Sequence, residues 1–132
     1  MHIFPLVYLF AATASPSLNV GTMPWATFPS IPISEGRFDG WGGRQGLLDI
    51  LSKKQCNLPG VTRGNFNNLE VWYAMEVAPD GTVSRIVIES KNCRPLESLV
   101  GAMVMQLIKT NKIKAPSGED AKWFGSRIRF VS

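Results

Sequence analysis

The chain has 132 residues, 45% hydrophobic, 10% aromatic and 18% charged, with a formal net charge of +4. That length fits one domain with a modest core, and sparse charge with plentiful apolar residues excludes wholesale disorder. No run of about 20 apolar residues occurs, which excludes a multi-span membrane protein.

Ile3 to Ala14 is apolar and is followed by Ser15-Pro16. Its length suits the h-region of a signal peptide, and Ala12-Thr13-Ala14 offers the small side chains that a signal peptidase accepts. Residues 1–14 therefore read as a cleaved export signal; an uncleaved short anchor and a buried strand are the alternatives. His2 is the only histidine, so cleavage after Ala14 leaves a chain with none.

Residues 15–43 read as a Pro/Gly-rich extended segment. Pro16, Pro24, Pro29 and Pro32 fix φ and remove donors, while Trp25 and Phe28 offer points at which to pin it to a domain surface. Glycines 36, 40, 42, 43 and 46 surround Arg37, Phe38 and Trp41, which marks a loop. The domain proper is expected over residues 44–132.

Arg44 to Lys54 predicts a short helix with Leu47, Leu48 and Leu51 on one face and Lys53 and Lys54 at its C-terminal end. Leu58-Pro59-Gly60 ends it. From Leu69, Val71, Tyr73, Met75 and Val77 alternate with Glu70, Trp72, Ala74 and Glu76, the period of a strand with one buried face. Pro79-Asp80-Gly81 supplies a tight turn, and Val83 to Glu89 returns as a second strand with Ile86 and Ile88 inward. Next, Leu96, Leu99, Val100, Met103, Val104, Leu107 and Ile108 form one stripe of an amphipathic helix that opens on Pro95. Met103 and Met105 read as core filler, and Gly101 as a place of close approach to the sheet. Phe124, Ser126, Ile128 and Phe130 alternate with Arg127 and Arg129 in a last strand, Trp123 to Val131. The expected fold is α+β, a two-layer ββαβ arrangement in which one long helix covers a small antiparallel sheet, preceded by a short helix.

Cys56 and Cys93 are the only cysteines. An exported chain with an even count oxidises them, and closing a loop of about 36 residues is worth roughly 3–4 kcal/mol in chain entropy. Two buried free thiols are the alternative. Two thiolates without histidine are too few for zinc, so neither a metal nor a cofactor is expected.

Without histidine, the usual nucleophile–base pairs are missing. Glu119-Asp120, the only adjacent acidic pair, falls in a polar turn; a histidine-free glycan hydrolase acting through them is the remaining catalytic reading. Gly40-Trp41-Gly42-Gly43 lacks the lysine and the strand of a phosphate loop. Lys109, Lys112, Lys114, Lys122, Arg127 and Arg129 gather positive charge late in the chain, and the isoelectric point is near 9.3. Export and the lack of strand aromatics set as in an RNA-recognition motif argue against nucleic acid. A solvated helix end and strand face, or attraction to an anionic envelope partner, account for the charge.

The run Trp72-Tyr73-Ala74-Met75-Glu76-Val77-Ala78-Pro79-Asp80-Gly81-Thr82-Val83, continued by Ile86-Val87-Ile88-Glu89-Ser90, resembles the first hairpin of the TonB C-terminal domain family. There a strand ends in a Pro-Asp-Gly-like turn, followed by a second strand and a helix with an acidic residue near its start. A proline-bearing loop and a strand ending in an Ile-x-Phe-like pair complete it; Glu97, Pro116 and Ile128-Arg129-Phe130 fall at those points. The resemblance covers about residues 69–131.

It implies a periplasmic protein-interaction domain, not an enzyme, linked to transport across the envelope. Its partner would be an envelope protein, an outer-membrane receptor or transport component, bound by strand addition. Trp123 to Val131 would be the edge strand, with Trp123, Arg127 and Arg129 as candidate contact residues. The chain shows neither a spanning helix nor a Pro/Glu/Lys-rich spacer, so a stand-alone domain without energy transduction of its own is expected, with at most peripheral membrane contact. A periplasmic inhibitor or ligand-binding domain sharing only the fold is the second reading.

Overall fold

The computed structural model describes residues 15–31, 33–35 and 43–132. The signal over residues 1–14 and the glycine-rich stretch as far as Gly42 lie outside the described residues.

The fold is α+β. Strands β3 (Glu70–Val77) and β4 (Val83–Glu89) form the expected antiparallel hairpin, with Tyr73 opposite Ile88 and Met75 opposite Ile86. Its turn closes through Ala78 N–H to Thr82 O and Gly81 N–H to Ala78 O, both 2.8 Å. Gly81 sits at φ 90°, where a side chain would strain the backbone. The Asp80 carboxylate accepts from the Thr82 hydroxyl at 2.6 Å and from its amide at 3.0 Å. Strand β6 (Lys122–Arg129) runs antiparallel along the other side of β3.

The sheet is mixed, and this corrects the purely antiparallel sheet expected from the hairpin pattern. A fourth strand, β1 (Ser17–Gly21), pairs parallel with β4, and the order is β1-β4-β3-β6. Within the Pro/Gly-rich segment of residues 15–43, Ser17–Gly21 is thus a strand of the sheet. β2 (Ile33–Glu35) pairs with β5 (Lys112–Ile113) as a separate two-stranded ribbon.

Helix α1 spans Gly43–Ser52 and buries Leu47 and Ile50, while Leu48 and Leu51 pack at the core margin. It stops short of the expected lysines; Lys54, at φ 51°, lies in the turn beyond. Helix α2 spans Arg94–Thr110 and buries Leu96, Val100, Met103, Val104 and Leu107 against the sheet, the stripe read from the sequence. Each such side chain removed from water contributes about 1.5–3 kcal/mol. Opposite them lie Val71, Tyr73, Met75 and Val77 of β3, Ile86 and Ile88 of β4, and Phe124 and Ile128 of β6. Gly101 lets β1 approach: a Cβ there would stand 2.8 Å from Leu18 Cδ2.

Cys56 and Cys93 are joined by a disulfide with a Cα–Cα distance of 5.5 Å. Cys93 is the N-cap of α2, so the bond ties the α1–β3 loop to the start of the covering helix. The Glu97 carboxylate accepts from the Lys91 amide at 2.6 Å and the Cys93 amide at 3.5 Å, which satisfies donors at that helix end.

Candidate interaction edge

Strand alternation sends Phe124, Ser126 and Ile128 toward the helices and Trp123, Gly125, Arg127 and Arg129 to the opposite, outer face. The three residues singled out from the sequence thus share one face of one strand. That strand is at the margin of the sheet, hydrogen-bonded to β3 alone among the strands of the described residues.

Each of the three is already engaged within the chain. Arg129 Nε donates to Glu70 Oε2 at 2.6 Å, and Arg127 Nη1 lies 3.5 Å from Glu70 Oε1. One carboxylate is therefore shared by two guanidinium groups, which leaves the pair net cationic. The Arg127 guanidinium also lies over Trp72, 5.2 Å from the ring centroid, a contact favoured by the ring quadrupole. Trp123 carries Arg85 over its ring at 5.0 Å and stacks with Phe28 at 6.1 Å and 24°.

Arg85 is oriented from the β3 side. Its Nε and Nη2 donate to the two carboxylate oxygens of Glu76 at 2.8 and 3.1 Å. The hydrogen bonds from Arg85 hold the Glu76 carboxyl below its ordinary pKa, with a further contribution from the Ser84 hydroxyl. Across the outer face, Arg85, Glu76 and Trp123 are register partners in adjacent strands, as are Trp72 and Arg127, and Glu70 and Arg129.

The N-terminal segment crosses this face. A 3-10 turn at Trp25–Thr27 brings Phe28 onto Gly125, and Gly125 N–H donates outward to Pro29 O at 2.9 Å. Because backbone groups alternate direction along a strand, the amides of Trp123, Arg127 and Arg129 point to that same outer margin. Beside it, Trp25, Phe28, Trp72, Gly125 and Arg127 line an open hollow of about 320 Å³.

Trp25, Trp72, Glu70 and Pro29 were not singled out as site residues by sequence reasoning. The available signal for Trp72 was a large aromatic out of phase with the buried positions of its own strand. Glu70 and Pro29 depend on the register of β3 against β6 and on a contact nearly a hundred residues apart in sequence.

Glu119 and Asp120 are exposed in the turn before β6, apart from the hollow and the core. Among the described residues no group of three or more His, Cys, Asp or Glu is placed to hold a metal ion, and no helix is long and apolar enough to cross a membrane. Comparison with models of known families, with curated proteins and with solved structures finds no significant match.

Proposed function

We propose that this chain is an exported protein-interaction domain that binds an extended segment of a cell-envelope partner by strand addition along β6, in the manner of the TonB C-terminal domains that its hairpin resembles. The observation that carries this reading is the position of β6: it closes one side of the sheet, and its outward row of backbone groups is taken at Gly125 and continues past Arg127 and Arg129. An incoming strand would pair with that row, and its alternate side chains would lie beside Arg127 and the aromatic hollow. The surplus of guanidinium groups over Glu70 favours a partner with acidic residues at those positions. The Cys56–Cys93 disulfide is compatible with an oxidising compartment such as the periplasm. Strand addition asks for no catalytic group.

The hollow itself supports the second reading, a periplasmic inhibitor or a domain for a small ligand that stacks on Trp25 and Trp72.

Arg127→Pro tests the first reading. It removes an outward amide while the bonds from β3 to Ser126 and Ile128 remain. With a photo-reactive residue at Arg129, the parent protein should cross-link one envelope partner, and the Arg127→Pro form should lose that product while keeping its circular dichroism and melting transition. An unchanged cross-link in a folded Arg127→Pro protein would sink strand addition at this edge.

A further inference from the structure

The opposite margin of the sheet differs from β6 in charge and in the character of its exposed side chains. Among the described residues, β1 pairs with β4 alone, so its second side is open. Its sequence, Ser17-Leu18-Asn19-Val20-Gly21, carries no charge, whereas β6 carries Lys122, Arg127 and Arg129. Leu18 and Val20 are 44% and 49% exposed, two of the three large hydrophobic side chains that the described residues leave exposed. Charged or proline-bearing edges discourage edge-to-edge pairing; a neutral edge with aligned apolar side chains favours it.

The direction of the backbone groups decides what fits. Gly21 O accepts from Ser90 N–H at 3.2 Å, so the backbone of Gly21, and by alternation that of Ser17 and Asn19, turns toward β4. The amides and carbonyls of Leu18 and Val20 therefore point away from the sheet. The side chains of both lie on the helix face, as the contact of Leu18 with Gly101 shows.

We propose that β1 is the homodimer interface of this protein. Two copies of β1 meet antiparallel about a two-fold axis at Asn19, and the two four-stranded sheets become one. In that register Leu18 lies opposite the partner's Val20, and Val20 opposite the partner's Leu18. Both are hydrogen-bonded pairs, so four main-chain hydrogen bonds use all the outward donors and acceptors of Leu18 and Val20. The same pairs put apolar side chains face to face on the helix side. Ser17 and Gly21 oppose each other across the interface, and no charge meets a like charge. A second copy is the occupant because the edge is its own complement under the two-fold operation, the isologous arrangement of closed dimers. On the β6 edge the outward amide of Gly125 is already taken by Pro29 O, and Arg127 and Arg129 add positive charge beside it, which leaves that edge less suited to pairing with its own copy and better suited to an acidic partner.

Asn19→Cys tests the register. The chain's two cysteines are already bonded to each other, so the new thiol is the only free one. Asn19 faces its own copy as a non-hydrogen-bonded pair about 4.5 Å apart at Cα, within disulfide range. Mild oxidation should convert Asn19→Cys to a covalent dimer at least tenfold faster than Ser17→Cys, whose position opposes Gly21 of the partner subunit. Sedimentation velocity across a hundredfold concentration range should show the parent protein moving from monomer to dimer. Val20→Pro, which deletes an outward amide at an open edge, and Val20→Lys should each raise the midpoint of that transition at least tenfold. A parent protein that stays monomeric throughout overturns the proposal. So does a dimer indifferent to both Val20 variants, or equal cross-linking through Asn19→Cys and Ser17→Cys, since each would place the contact elsewhere.

Discussion

Pro29 and Gly125 are joined by a 2.9 Å hydrogen bond in which the Gly125 amide, directed away from the sheet, is taken by a carbonyl nearly a hundred residues earlier in the chain. The missing side chain at Gly125 makes the contact possible, because a Cβ there would stand 3.2 Å from both Cβ and Cδ2 of Phe28 and 3.4 Å from Tyr73 O. One glycine thus fixes where the N-terminal segment crosses the edge, and so how much of β6 stays open.

Gly125→Ala should push Phe28 off Trp123. The backbone atoms of Tyr73 cannot give way, so Phe28 must. Loss of the stack and of the Pro29 hydrogen bond should cost about 1–2 kcal/mol. It should also red-shift the tryptophan emission and release the segment around Trp25 to proteolysis. Denaturant melts and limited digestion check this; an unshifted emission spectrum with parent-like protection would contradict it.

The disulfide should be worth more than any single contact on the outer face. Closing a loop with a sequence separation of 37 stabilises by roughly 4 kcal/mol in the chain-entropy model. The Cys56→Ser/Cys93→Ser double variant should therefore melt well below the parent protein, and reductant should lower the parent's transition to a similar point. Equal melting of oxidised and reduced protein would show that the two ends of the loop are held by packing alone.

The elements with their own periodicity were legible in the sequence. The β3–β4 hairpin rests on alternation around Pro79-Asp80-Gly81, and α2 on seven apolar positions at helical spacing; both signals are local. Strand β1 was not legible, since its two apolar residues sit between prolines and its hydrogen bonds go to a strand more than sixty residues away. Ribbon β2–β5 has a two-residue arm, too short to show any period. At the site, the outward face of Arg127 and Arg129 followed from strand alternation. Their shared hold on Glu70 did not, because it depends on which residue of β3 lies opposite which residue of β6.

Glu97 should stabilise the start of α2 through its carboxylate. Its Oε2 takes the Lys91 amide at 2.6 Å and lies within hydrogen-bond reach of the Cys93 amide. Glu97→Ala leaves those donors to water and should cost about 1 kcal/mol. Glu97→Gln keeps one acceptor oxygen and should recover part of it. Hydrogen exchange at Lys91 should rise in the alanine variant; if it does not, the carboxylate is not what protects that amide.

The pH dependence of stability should be bounded on both sides by groups of the hairpin. Glu76 is held below its usual pKa by hydrogen bonds from Arg85, and Asp80 by hydrogen bonds from the Thr82 hydroxyl and amide. For a carboxyl lowered in the fold, the stabilisation is complete above the unfolded value of about 4 and is lost as pH falls through the lower folded value. Tyr73 moves the other way: burial raises its phenol above the ordinary value, with a smaller opposing effect from the hydrogen bond with Ser126. Its contribution is complete below about pH 10 and is lost as pH rises through the raised folded value. Urea midpoints measured from pH 3 to 11 should therefore show a plateau between about pH 5 and 9 with a fall at each end. Glu76→Gln should flatten the acid limb and Tyr73→Phe the alkaline one, each leaving the other limb in place; a variant that moved the opposite limb would assign that titration to a different group.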